Sequence, residues 1–75
     1  MNLSAETIET TIRVYLKQMR ERLEQAASIT KAAEACADAG QTEKALEVAL
    51  DVEQLVYEVN TFLNAASMIN RLRKP

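Results

Sequence analysis

Glu21, Glu24 and Glu34 are the carboxylates that could supply acid–base or metal-binding oxygens, and Cys36 is the one thiol. None has the companion its chemistry needs. The sequence contains no His, so the Glu-x-x-His pattern of di-iron bundles cannot form and no imidazole can act as a base. One Cys can make neither an intrachain disulfide nor a Cys-cluster metal site. Cys36 lies between Ala33 and Ala37 and reads as a buried structural thiol; an intermolecular disulfide or a reactive thiol is the alternative. Arg13, Lys17 and Arg20 form a basic row that could meet phosphates. However, Glu9, Glu21 and Glu24 interrupt it, no aromatic joins it, and the formal charge is −2, whereas nucleic-acid binders carry a basic footprint. The residues therefore point away from catalysis, cofactors and metals. RNA binding ranks third among the readings of function.

What remains is the framework. The 75 residues include one Gly, one Pro, no Trp, two Tyr and one Phe. So few turn formers cannot punctuate a many-stranded sheet, which needs turn signals every ~8–12 residues. With 48% hydrophobic and 27% charged residues, the composition predicts a single all-α domain over 1–75. Ser4 is an N-cap, with Glu6 and Glu9 near the positive helix end. Gly40 suits the left-handed residue after a helix, and Thr42 suits the next cap. Arg71, Arg73 and Lys74 crowd the C-terminus, where the helix dipole favours cations. These signals predict a helix over about 5–39, a turn at 40–42 and a helix over about 43–73, packed as an antiparallel two-helix hairpin. Ser28-Ile29-Thr30 is the weak point, since two hydroxyls and a β-branched residue compete with helix there. A break near Ser28–Thr30 would give three helices.

The apolar spacing predicts how the helices pack. Ile8, Ile12, Tyr15, Met19, Leu23, Ala26 and Ala33 form one stripe, which drifts from a strict heptad. Beyond Ala26 it is built mainly of Ala. The second helix has two overlapping seams. One is Ala45, Ala49, Val52, Val56, Val59, Leu63 and Ala66; the other is Val48, Val52, Leu55, Val59, Phe62, Ala66 and Ile69. A single antiparallel neighbour covers about one seam, and a hairpin this small buries little by itself. The second helix therefore needs a second neighbour, and Val48, Val52, Leu55, Val59, Phe62 and Ile69 are the expected partner interface. Val56 and Val59, where the seams nearly meet, are expected at its centre. Asn60, Asn64 and Ser67 read as the polar border of the stripe.

Charge is distributed unevenly. Residues 28–54 hold six acids and two bases, net −4, and the rest hold five acids and seven bases, net +2. Glu43, Glu47 and Asp51 form an acidic row, and Arg13, Lys17 and Arg20 are its expected match on a second copy. A homodimer, two-fold and with ends opposed, is the expected state of the chain alone.

Two resemblances add to this reading. Ala37-Asp38-Ala39-Gly40-Gln41-Thr42-Glu43-Lys44-Ala45-Leu46 resembles the join between tetratricopeptide helices, without a second copy of the period that a repeat array requires. Over most of its length the chain is similar to the small E-type co-chaperones of bacterial type III secretion. The likeness rests on Arg20-x-Arg22-Leu23-x-Gln25-Ala26, Gly40 at the turn, and an apolar second helix ending Ile69-x-x-Leu72. It implies a cytoplasmic helical hairpin that joins a larger tetratricopeptide-like chaperone and keeps a needle subunit unpolymerised. A homodimeric four-helix bundle with an adaptor or regulatory role is the runner-up. The first residues, Met1-Asn2-Leu3-Ser4-Ala5-Glu6, lack a basic and apolar leader pattern. No apolar run reaches the ~20 residues of a membrane helix. With one unpaired Cys besides, the expected location is the cytoplasm.

Overall fold

The computed structural model describes residues 4–73. Residues 1–3 and 74–75, which carry part of the leader reading and the Lys74 end of the basic cluster, lie outside it. The described residues are all-α, with one long helix and a second that is bent. Helix α1 spans Ala5–Asp38, α2 spans Thr42–Ala49 and α3 spans Asp51–Arg71.

Ser4 caps α1. Its hydroxyl accepts from the Thr7 N–H at 3.0 Å, which satisfies one of the donors that a helix start leaves free. At the other end Gly40 takes φ +85°, the left-handed conformation that a side chain disfavours. The Gly40 N–H donates to the Ala37 carbonyl and the Gln41 N–H to the Cys36 carbonyl, both at 2.9 Å. This is the Schellman closure, which satisfies two of the last carbonyls and reverses the chain. Because the closure ends at Gln41, the next helix starts at once. Gln41 occupies the cap position without a side-chain bond, and Thr42 is the first helical residue rather than the cap.

The interruption falls in the second helix and not at Ser28–Thr30. Through that segment α1 is continuous, and the Thr30 hydroxyl donates to the Ala26 carbonyl at 2.8 Å. The hydroxyl is thus satisfied within the helix, and the three-helix alternative drawn from that site does not hold. The bend is at Leu50 (φ −60°, ψ −25°), where the Glu53 N–H donates to the Leu50 carbonyl three residues back at 3.1 Å. This is a local tightening of the 3₁₀ type. It leaves Asp51 and Glu53 in the first turn of α3, where the helix dipole favours carboxylates.

Helix α1 packs along both α2 and α3, giving a rod of 56 × 14 × 13 Å. On α1 the row of covered positions along the seam is Ile8, Ile12, Tyr15, Met19, Arg22, Ala26, Ile29, Ala33 and Cys36, with Thr11, Gln18 and Ala37 half-buried beside it. The steps of the row alternate strictly between four and three. On α2 and α3 the row is Ala45, Val48, Val52, Leu55, Val59, Phe62, Ala66 and Ile69, with the same alternation. Both faces therefore keep a seven-residue repeat, the pattern of a knobs-into-holes seam. This corrects the drifting stripe: Arg22 and not Leu23 holds the seam position, and Ile29 fills the gap before Ala33. Gly40 and Gln41 are the turning point, so residues equidistant from them meet. Large residues then face small ones in several layers, as with Tyr15 and Ala66 or Ala26 and Leu55. The buried apolar residues are Ile8, Ala26, Ala33, Ala45, Leu55 and Ala66. Four of these six are Ala, so the seam buries little apolar area for its length.

Candidate interaction surface

Val48, Val52, Leu55, Val59, Phe62 and Ile69 were expected on the outside, against a partner. The structure places all six on the seam, where they are buried or half-buried. In the isolated chain the covering element is α1, packed along α2 and α3. Their heptad phase explains the placement, because they are the face that a single neighbouring helix covers best. Val56 leaves the expected centre as well. It lies one position outside the seam beside Leu55 and is exposed, whereas Val59 is half-buried.

Four of the ten large apolar residues left exposed among the described residues follow from the same phase. Leu16 and Leu23 each sit one residue beyond a seam residue of α1, after Tyr15 and Arg22. Val56 and Leu63 do the same on α3, after Leu55 and Phe62. When two such helices run in opposite directions, these positions fall on the same side of the pair. Leu16 then lies level with Leu63, and Leu23 level with Val56. All four are between 46% and 52% exposed, with one side against the seam and the other bare. They form a continuous apolar flank to which both helices contribute. Sequence reading found Val56 and Leu63 as part of a second seam but missed Leu16. Leu16 lies four residues after Ile12 and three before Met19, so helical spacing carried a signal for it, and its pairing with Leu63 is visible once the helices are laid together.

The opposite flank is polar. Arg22 donates from Nε to Glu58 Oε1 at 2.7 Å, and from Nη1 to Gln18 Oε1 at 2.7 Å and to the Gln18 carbonyl at 3.2 Å. Gln54 Nε2 donates to Glu58 Oε2 at 2.9 Å. The Arg22 guanidinium stands 4.8 Å over the Phe62 ring, and Phe62 meets Tyr15 with ring centroids 5.6 Å apart. Arg22 therefore buries its stem in the seam and turns its head out to this flank. The hydrogen bond from Gln54, then that from Arg22, holds the Glu58 carboxyl below the usual carboxylate range. A polar group in an otherwise apolar seam fixes register, because a slipped pairing would leave it without partners.

The six charge-matching residues are all exposed. Arg20 Nη1 pairs with Glu24 at 2.7 Å, and that hydrogen bond raises the Arg20 pKa. Arg13 Nη2 lies 3.7 Å from Glu9, which also lies 3.6 Å from Arg73 Nη1 across the rod. Such exposed pairs stabilise little. Lys17, Glu43, Glu47 and Asp51 have no ion-pair partner among the described residues.

Cys36 is half-buried, at the seam position nearest the turn. Among the described residues, no group of three or more His, Cys, Asp or Glu is placed to hold a metal ion, and no helix is long and apolar enough to cross a membrane. Comparison of the chain with protein-family models, curated proteins and solved structures found no match.

Proposed function

We propose that the chain is a non-enzymatic helical hairpin that works by helix-to-helix packing, as a small co-chaperone whose apolar flank docks on a larger helical protein. The observation that carries this reading is the flank of Leu16, Leu23, Val56 and Leu63. It is a row of half-bare side chains, built jointly by both helices and long enough to receive another helix. The resemblance to type III secretion co-chaperones gains physical content at its own residues. Arg22 is the polar layer that fixes register, Leu23 is on the flank, Ala26 and Ile69 lie in the seam, and Gly40 makes the turn. A tetratricopeptide-like chaperone, itself a stack of helices, is the chemistry this flank suits, with a needle subunit as its cargo.

The test is affinity capture from the native cell with the wild-type chain and with Leu23→Glu. The expected result is a tetratricopeptide-like chaperone together with a small secreted subunit, both lost with the variant. Recovery of RNA in their place, or equal recovery by both baits, would overturn the reading.

A further inference from the structure

The surface area of the chain is larger than its mass allows for a compact monomer. It exposes 5797 Å² for 8.4 kDa, whereas a folded monomer of that mass exposes roughly 4,600 Å². A compact body of twice the mass would expose roughly 7,700 Å², about 3,900 Å² less than two separate copies. That saving lies within the roughly 2,000–5,000 Å² that obligate homodimers bury.

We propose that, in the absence of a larger partner, the flank of Leu16, Leu23, Val56 and Leu63 is closed by a second copy of the chain, stacked hairpin on hairpin with the turn ends opposed. The inference rests on reading this flank as a docking surface and names its occupant when the chain is alone. Three observations support a second copy as that occupant. The flank is apolar on both helices at the same level, so it can meet itself across a two-fold axis without an unpaired polar group. It lies near the middle of the rod, so a copy centred on it overlaps most of the length. The charges select the orientation. The turn half carries net −4 over residues 28–54 and the remainder +2. Opposed turns set each acidic half beside the other copy's basic half, whereas turns side by side would set acid against acid. Apolar burial supplies the affinity and charge chooses between the two stackings. Because one flank serves both occupants, the dimer and the complex with a larger protein exclude each other.

The experiment uses the purified full chain. Sedimentation over a concentration series is expected to give a dimer that dissociates on dilution. Leu23→Glu or Leu63→Glu buries a carboxylate in each copy and is expected to weaken the dimer by about 100-fold or more. Circular dichroism should still report full helicity, because both positions are already half-bare. Met68→Glu, an exposed apolar residue on the other side of α3, should leave the dimer intact. For orientation, Gln41→Cys in a Cys36→Ala background carries a spin label at the turn. Opposed turns put the two labels apart by roughly the 56 Å length of the rod. Turns side by side put them within about two helix diameters, roughly 20–24 Å. A monomer at all concentrations, a dimer indifferent to Leu23→Glu and Leu63→Glu, or the short label distance would each overturn the proposal. None of these results depends on a larger partner, so a failed capture and a failed dimer are separate outcomes.

Discussion

The seam and the apolar flank both carry aliphatic residues, one helical position apart, and differ in what covers them. Leu55 on the seam is 9% exposed, and its neighbour Val56 on the flank is 46% exposed. A step of one residue turns a side chain by about 100° about the helix axis, which is enough to move it from the covered face to its border. The seam holds the chain in one register, through strict heptads and the Arg22 layer. The flank adds nothing to register and leaves half of each side chain bare. Phase thus separates the covered residues from the half-bare ones.

The sharpest way to break this comparison is to truncate one residue of each kind. Leu55→Ala should cost about 3 kcal/mol, since it empties a covered seam position, and the loss should not depend on protein concentration. Leu23→Ala should cost less, and its loss should grow with concentration as self-association contributes to stability. Thermal melts at several concentrations check both. Equal, concentration-independent losses would erase the distinction between seam and flank.

Ala33→Leu tests the small-residue half of the seam from the other direction. Ala33 is buried and faces Val48 by register, so the added volume should force the helices apart at a cost of about 1–3 kcal/mol. Chemical denaturation would measure it, and a neutral result would mean that the helices are not close there. Arg22→Ala should cost about 1–2 kcal/mol by removing the stem from the seam and the cation from the Phe62 ring.

The predictions of smaller effect concern the polar flank and the outside. The Glu58 carboxyl lies below the usual carboxylate range because the folded state favours its charged form. Its contribution is therefore present above the unfolded carboxylate pKa and is lost as pH falls through the lower folded value. The difference in melting temperature between wild type and Glu58→Gln should be full at neutral pH and disappear in acid. A difference that stays constant with pH would show that the charge is immaterial. Met68→Gln, on an exposed site outside seam and flank, should change stability by less than about 0.5 kcal/mol.

Particular residues show what sequence alone could convey. Gly40 and Ser4 announced the turn and the first cap because each does something that few residue types do well. The spacing from Val48 to Ile69 was legible because apolar residues mark the heptad positions, but sequence alone assigned that face to an outside partner and not to α1. Its counterpart on α1 was misread at the Arg22 layer and lacked Ile29 at another. Leu23 is the more apolar residue, yet Arg22 has the right phase, and its stem packs where its charge would not. The extra width of the second helix was legible as a need for a second neighbour. The flank proposed to meet that need was not, because it combines residues of two helices and becomes visible once their register is known. The bend at Leu50 carried no signal, as neither Gly nor Pro lies near it.

The Schellman turn at Gly40 has a consequence for the order in which this surface comes into being. Joining two points on a chain costs more entropy the longer the loop between them. The layer of Cys36 and Ala45 closes a short loop, while the Glu9–Arg73 pair must close nearly the whole chain. Each layer formed near the turn shortens the loop for the next, so pairing advances from Gly40 toward the termini. Leu16 and Leu63 come level late in that sequence, after Arg22 has found Glu58 and the register is set. A chain still emerging from synthesis, or one paired out of register, has no flank to offer. A partner docking there, as proposed, would select finished molecules, and recognition would become a check on folding.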